Sequence, residues 1–224
     1  MGNKKVLLIQ TAILTTMLLS PSFAAFAKES ALHVDYNFRD WGDLDVVILK
    51  DRMRIHDKLR SWTIILNKPD WRITCFSVKR KTIATMPFTE FRMALGERLG
   101  MMTAGDVDPT HWKKVGPALV NGIKTIRYDQ AIAPGDTRKP TAQMYVAAET
   151  PVNPKVAQFL SRFFDIPNFQ ALPVRCTKHK VERLKLDTRT IRPCSFKESD
   201  FEIPKGYTKK RFEEVLFSQT SFDY

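Results

Sequence analysis

The sequence predicts an α+β domain, in which a large antiparallel sheet is accompanied by a few helices. Three observations predict this class. Strand-like segments recur about every 8 to 12 residues from Ala31 to Thr85, an Asn-Gly pair joins two later apolar segments, and one segment carries a helical apolar stripe. Strands at this spacing favour a meander within one sheet over alternating strand–helix units.

The first half of the sheet is predicted from alternation and turn residues. Leu32, Val34, Tyr36 and Phe38 alternate with polar residues, which is the period-two pattern of a half-buried strand. Asn67-Lys68-Pro69-Asp70 is predicted to be a turn, because these residue types favour turn backbones. Further strands are predicted at Asp45 to Leu49, around Met53 and Ile55, at Trp62 to Leu66, at Trp71 to Val78 and at Thr82 to Thr85.

Two helices are predicted in the rest of the chain. The first runs from Pro87 to about Leu99 and places Phe88, Phe91, Leu95 and Leu99 on one side. The second follows Asn153, which can cap it, and Pro154, which suits a first helical position. Its apolar stripe consists of Val156, Phe159, Leu160, Phe163 and Phe164, and Asp165-Ile166-Pro167 ends it.

The remaining strands are predicted to form two hairpins and a single strand. Asn121-Gly122 is a strong two-residue turn signal between Trp112–Leu119 and Ile123–Ile132. A loop is predicted at Gly100 to Pro109. The other elements are a strand at Ala142 to Ala148, a long hairpin of Leu172–Lys178 with Val181–Cys194, a closing segment from Phe201 to Tyr207, and a charged tail from Lys209 to Tyr224.

Residues 1–27 have the pattern of a secretory signal peptide. Lys4 and Lys5 precede an apolar run of about 14 residues, and Ala25-Phe26-Ala27 is a small-x-small cleavage pattern, with Ala24 as an alternative site. The run is shorter than the ~20 residues that a spanning helix needs. The sequence therefore predicts a protein that is either periplasmic or secreted, with the signal peptide cleaved near Ala27. The mature chain is predicted to have a single domain at residues 28–217 and a tail at 218–224.

The charge of the chain favours anionic partners. The formal net charge is +12, and residues 1–27 contribute two lysines and no acidic residue, which leaves +10. Lipid headgroups, acidic polysaccharides and nucleic acids all fit such a surplus, but export argues against nucleic acid. The basic residues are spread along the chain, so a solvated cationic surface without a specific partner stays open as the simpler interpretation.

Three cysteines remain after the signal peptide: Cys75, Cys176 and Cys194. Export permits disulfides, and Cys176 with Cys194 is the nearest pair in sequence. A hairpin that turns near His179-Lys180 would instead place Cys176 opposite Arg183. The sequence therefore does not decide between a Cys176–Cys194 disulfide and free thiols.

No catalytic motif is found, and the sequence predicts a protein that is not an enzyme and uses no cofactor or metal. The four histidines, His33, His56, His111 and His179, have no metal-binding spacing, and no Cys-x-x-Cys, Gly-x-Ser-x-Gly or phosphate-binding loop occurs. An exported hydrolase would have to use Cys75 or a histidine, with Cys75 as the candidate nucleophile. In a predicted strand it is better explained as a small hydrophobic residue.

Aromatic residues are abundant, with 15 Phe, 4 Trp and 5 Tyr. Ordinary core packing is the simpler interpretation. The alternative is a cavity, because a curved sheet covered by two amphipathic helices can hold an acyl chain between the layers. The residues predicted to line this cavity are Trp62, Ile64, Leu66, Trp71, Ile73, Phe88, Phe91, Phe159 and Phe163.

The order of these elements resembles the LolA-like superfamily, whose type member is the periplasmic lipoprotein carrier, and within it uncharacterised exported bacterial families. The segments that carry the resemblance are residues 46–55, 115–122 and 201–207. The resemblance implies a strongly curved antiparallel β-sheet, an unclosed barrel, with two or three helices on its concave side. It also implies binding of a lipid or a lipidated protein without catalysis.

The sequence therefore supports two hypotheses about function. The leading hypothesis is an exported carrier or binding protein for a lipid or other amphiphile. The alternative is a non-catalytic envelope module that binds anionic surfaces, such as membranes, through a basic face. The last hairpin holds seven basic and two acidic side chains, a net charge of +5, and its predicted contact residues are Arg175, Lys178, Lys180, Arg183, Lys185 and Arg189.

Overall fold

The protein is built on one 12-stranded sheet in a computed structural model that describes residues 31–39, 41–91, 109–130, 141–178 and 183–217. The strand order is β12-β6-β5-β4-β3-β2-β1-β11-β10-β9-β8-β7. All neighbours are antiparallel except β12 and β6, which are parallel. The described strands β12 and β7 end the sheet without pairing to each other, so the sheet is unclosed, as predicted.

The first six strands form the predicted meander. Their bounds are β1 Ala31–Phe38, β2 Gly42–Ile48, β3 Arg52–Asp57, β4 Trp62–Asn67, β5 Arg72–Ser77 and β6 Thr82–Met86. In β3 the buried residues Met53 and Ile55 alternate with half-buried Arg54 and His56, as the sequence pattern predicts.

In the second half of the chain, the described residues add five long strands, one short strand and two helices. The strands are β7 Trp112–Val120, β8 Ile123–Gln130, β9 Ala142–Ala147, β10 Pro173–Lys178, β11 Arg183–Cys194 and β12 Thr208–Lys209. The helices are α1 Pro154–Phe164 and α2 Phe212–Phe217, and short 3-10 turns occur at Pro109–His111 and Glu198–Phe201. None of the described helices has the length and apolar character needed to cross a membrane.

Strand β1 joins the two halves of the sheet. It pairs with β2 on one side and with β11 on the other, where Ala31 lies opposite Cys194 and Phe38 opposite Leu186. An irregularity between Asp35 and Tyr36 shifts this register by one residue. The first strand of the described chain therefore lies in the middle of the sheet.

The Asn-Gly hairpin forms as predicted. Asn121 and Gly122 have φ angles of 51° and 78° between β7 and β8, and two successive positive φ angles are those of a type I′ turn. The side-chain amide of Asn121 donates a hydrogen bond to the carbonyl of Thr188 in β11 at 2.8 Å. The turn is thereby fixed to a strand that is not its neighbour in the sheet.

Helix α1 begins and ends where the sequence predicts. The Asn153 side chain accepts a hydrogen bond from the backbone N–H of Lys155 at 2.9 Å, and Pro154 occupies the first position. Asp165 ends the helix with a left-handed backbone, φ 51°. The apolar stripe is buried: Val156, Phe159, Leu160, Phe163 and Phe164.

The N-terminal half of the sheet is covered by apolar groups on both faces. Val46 and Ile48 belong to the main apolar cluster, which also contains the buried side of α1. Val47 and Leu49 point to the other face and belong to a second, smaller cluster with Phe201. This double coverage explains why Val46 to Leu49 is a continuous apolar run in the sequence.

Several predictions about local structure were wrong in detail. Trp71 precedes β5 with a φ of 51° and does not lie within the strand. Cys176 pairs with Leu186 and not with Arg183, which is opposite Lys178. The predicted tail from Lys209 onward contains the end of β12 and helix α2, whose Phe212, Val215 and Leu216 are buried. The described helix α2 packs against β5 and β6.

Some predictions lie outside the described residues. These are the signal peptide at residues 1–27, most of the helix predicted from Pro87 to Leu99, nearly all of the loop at Gly100 to Pro109, the tail at 218–224, and Lys180.

Candidate functional site

The residues predicted to line a cavity are brought together on one face of the sheet. Alternation along β4 places Trp62, Ile64 and Leu66 on the same face, and all three are fully buried. The other predicted residues in the same buried cluster are Ile73, Phe88, Phe91, Phe159 and Phe163, and Trp71 packs against it while half-buried.

The aromatic rings of this cluster touch one another. Phe159 stacks on Phe91 with ring centres 4.7 Å apart and on Phe163 at 5.9 Å. Phe163 in turn meets the ring of Trp62 at 6.1 Å and that of Trp41 at 5.7 Å. Offset and edge-to-face contacts at these distances are favourable, so the rings hold α1 against the sheet.

A cleft of about 540 Å³ lies at the margin of this apolar cluster. It is formed where β1 begins, where β2 ends, and where the chain approaches α1. Its lining residues are Leu32, Ile48, Leu49, Lys50, Glu149, Thr150, Pro151, Val152 and Asn153. Its volume lies within the range of ligand-binding pockets, about 300–1,000 Å³.

The apolar part of the cleft continues into the protein interior. Ile48 is 3% exposed and belongs to the main cluster, and Leu49 is equally buried in the second cluster. Leu32 and Val152 are half-buried and pack against the main cluster. A ligand in the cleft would therefore contact side chains that belong to, or pack against, the main buried cluster.

The polar part of the cleft is held in place by hydrogen bonds within the chain. The side-chain amide of Asn153 donates a hydrogen bond to the carbonyl of Lys50 at 3.0 Å while its oxygen caps α1. Glu149 accepts hydrogen bonds from the ammonium of Lys124 at 3.0 and 3.2 Å. Lys50 is exposed, and its ammonium makes no ion pair with any carboxylate that the structure describes.

Sequence reasoning missed this cleft. Its lining comes from three separate parts of the chain, so no single segment shows it. The available signal was local: Thr150-Pro151-Val152 is an irregular segment directly before a capped helix, and Leu49-Lys50 directly follows β2.

The basic residues predicted to contact anionic surfaces mostly have partners within the chain. Arg175 bonds Asp187 at 2.7 Å, Lys185 bonds Asp165 at 2.7 Å, and Arg189 pairs with Asp43 at 2.9 Å. Lys178 also has a partner. The side chains of Lys180 and Arg183 lie outside the described part. These pairs neutralise charge that a binding surface would need.

A polar cluster occupies the opposite face of β1, β2 and β11. His33 Nε2 lies 2.8 Å from Asp45, and ligand-type atoms of His33, Asp35 and Asp45 all lie within 4.8 Å of one another, a spacing that suits a metal ion. However, Arg54 lies 3.2 Å from Asp45, and Arg192 donates to His33 at 3.2 Å. These cations supply the positive charge that a metal would bring, so the cluster is better described as an ion-pair network between strands.

This network shifts two pKa values. Partial burial works to raise the pKa of Asp45, but the hydrogen bond and charge of His33, together with nearby cations, hold that pKa below its ordinary value. Partial burial, followed by the charge of Arg54, lowers the pKa of His56 below 6.5. Both groups stabilise the fold most when His56 is neutral and Asp45 is ionised.

The cysteines are free thiols. Cys176 and Cys194 lie at positions opposite Leu186 and Ala31, and eight residues of β11 correspond to about 26 Å at strand spacing, so no bridge can form between them. Burial raises the pKa of Cys75 well above 9.0 and that of Cys176 to about 11. A thiol with a raised pKa is a poor nucleophile at neutral pH.

Comparisons with known proteins give structural likenesses only. No family model matches the chain, and no curated protein matches it. The chain is similar to an uncharacterized conserved protein from Thermus thermophilus, at 9% identity and a TM-score of 0.45, over 82% of this chain and 91% of that chain. It is also similar to the MucA/MucB complex of Pseudomonas aeruginosa, at 11% identity and a TM-score of 0.36, over 79% of this chain and 56% of that chain.

A LolA superfamily protein from Nitrosomonas europaea is a third such structure, at 10% identity and a TM-score of 0.25, over 78% of this chain and 89% of that chain. At these identities and TM-scores the likenesses say nothing of ligand or partner.

Proposed function

We propose that this chain is an exported, non-catalytic protein that binds and carries a lipid or the lipid part of a lipidated protein. The apolar chain of the ligand enters the cleft between the β1–β2 margin and the segment before α1. The periplasm or the outside of the cell is its proposed location, because residues 1–27 have the composition of a signal peptide.

One observation carries this proposal: a cleft of about 540 Å³ whose apolar side chains continue into the main buried cluster. Each methylene group removed from water contributes about 0.8 kcal/mol, so an acyl chain gains several kcal/mol in such a cleft. The raised thiol pKa values and the ion-paired polar cluster offer no comparable support for catalysis.

Native mass spectrometry of the protein purified from a bacterial envelope tests the proposal. We expect a population whose mass exceeds that of the chain by the mass of a lipid. Val152→Asp places a charge in the cleft wall and should remove the bound lipid, because burying an unpaired carboxylate is costly. Val78→Asp is the matched control, since Val78 is 57% exposed and does not line the cleft.

Two results would contradict the proposal. One is a protein that carries no lipid and takes up none from added micelles. The other is equal lipid loading of the Val152→Asp and Val78→Asp variants, which would place the ligand elsewhere.

A further inference from the structure

We infer that the cleft takes a single-chain lipid with an anionic headgroup, and that Lys50 at its rim recognises this headgroup. The inference rests on the proposed function, because it names the class of ligand for the same cleft. It uses two properties of the site that the apolar lining does not determine: its volume and the charge at its rim.

The volume of the cleft selects one acyl chain over two. A methylene group is about as large as a water molecule, whose share of the liquid is about 30 Å³. Because the cleft of about 540 Å³ is partly open to solvent, it has room for at most roughly 18 carbons. A lipid with two chains of that length would leave one of them outside the cleft and in water, at a cost that grows with every exposed methylene.

The charge at the rim selects an anion. The cleft is lined by two charged residues, Lys50 and Glu149. The carboxylate of Glu149 already accepts two hydrogen bonds from Lys124, so its charge is compensated. The ammonium of Lys50 has no such partner among the described residues, and the described lining of the cleft therefore presents one uncompensated positive charge.

The backbone of Lys50 is also fixed, which favours a defined position for the headgroup. Its carbonyl accepts the hydrogen bond from Asn153, the residue that caps α1, and the preceding Leu49 is buried in the second cluster. The four-carbon side chain is thus anchored at its base and free at its ammonium, and it can follow the headgroup of a ligand whose tail lies on Ile48 and Val152.

Three lipids with the same 16-carbon chain test this inference: palmitate, 1-palmitoyl lysophosphatidate and hexadecanol. Each is used below its aggregation limit, and dissociation constants are measured by competition with a fluorescent apolar probe. We expect both anions to bind more tightly than the alcohol, with a difference that shrinks as salt is added. The stronger of the two anions identifies the headgroup as carboxylate or phosphate.

Lys50→Gln provides the decisive variant. It should weaken binding of the anions about fivefold, the effect of one solvent-accessible ion pair, and leave hexadecanol unchanged. Lys79→Gln is the matched control, because Lys79 is an exposed lysine that does not line the cleft.

The outcomes separate this inference from the proposed function. If all three lipids bind equally and Lys50→Gln changes nothing, the headgroup inference is wrong while lipid binding stands. If Lys50→Gln weakens hexadecanol as much as palmitate, Lys50 shapes the cleft and recognises no charge, which also overturns the inference. If none of the lipids binds, both the inference and the proposed function are wrong.

Discussion

The substitution Phe163→Ala tests whether the interior between the sheet and α1 is filled or hollow. Phe163 is 2% exposed, and its ring centre lies 5.2 Å from that of Phe164 and 5.7 Å from that of Trp41. Rings of Trp62 and Phe159 lie 6.1 and 5.9 Å away. The side chain is therefore surrounded by packed aromatic groups.

The expected loss follows from this packing. Truncation of a buried phenylalanine to alanine costs about 3–5 kcal/mol, because the transfer of the ring is lost and a cavity remains. The rigid rings around Phe163 cannot collapse easily into the space, which favours the upper part of this range. We expect the free energy of unfolding to fall by about 4 kcal/mol.

Urea unfolding followed by tryptophan fluorescence measures this loss, since Trp41 and Trp62 both contact the Phe163 ring. Leu59→Ala is the control, because Leu59 is 78% exposed and should change stability by less than about 0.5 kcal/mol. A loss below about 1.5 kcal/mol for Phe163→Ala would refute the reasoning. The ring would then border open space, and the interior would be hollow around it.

Charges and thiols give three further predictions. Lys185→Ala should lower the free energy of unfolding by about 2–3 kcal/mol, because it leaves a largely buried carboxylate without its cation. Arg189→Ala removes a cation from an exposed ion pair and should lower the free energy of unfolding by less than about 0.5 kcal/mol. If urea titrations show the same loss for Lys185→Ala and Arg189→Ala, the argument from burial is wrong. Because the pKa of His56 is lowered on folding, the free energy of unfolding should fall as the pH drops from about 7 to 5. The His56→Gln variant should lose the part of this pH dependence that comes from His56. If stability depends on pH equally in the variant and in the original protein, the role assigned to His56 is wrong. Finally, a thiol reagent should modify half-buried Cys194 in the native protein and fully buried Cys75 only in urea, and simultaneous reaction would disprove the burial argument.

The elements that could be predicted are those whose signals are local. Strands β1 and β3 show alternation within six to eight residues, and α1 has its cap, its proline and its apolar stripe within one continuous segment. Helix α2 was missed although Phe212, Val215 and Leu216 have helical spacing, because the charged residues around them resemble a tail. Its burial depends on β5 and β6, which lie far away in the sequence.

The candidate site could not be predicted for the same reason. Lys50 and Asn153 meet at the cleft although they are 103 residues apart, and no pattern in either segment indicates the other. The hairpin of β10 and β11 shows the opposite error, because the sequence reveals its basic residues but not the acidic partners that compensate them. Its charge surplus is visible in the sequence, but Arg189 has its partner Asp43 at a separation of 146 residues, so the compensation appears only in the fold.

The central position of β1 has a consequence for how the sheet is completed during folding. From β1 to β6, and again from β7 to β9, neighbouring strands follow one another along the chain, and each pairing closes a short loop. The β1–β11 pairing brings together residues such as His33 and Arg192, which are 159 positions apart, and contacts of this range form slowly.

Two half-sheets should therefore form first, each with an open edge where the other will join. Strand β11 pairs with β1 on one side and with β10 on the other, so it covers both open edges. It also comes after all the other long strands of the described sheet in the chain. Until Arg183 and the residues after it have been added, the long edge of β1 stays exposed to other molecules. We therefore expect pairing of the last long strand to limit aggregation of the folding chain as well as to complete its sheet.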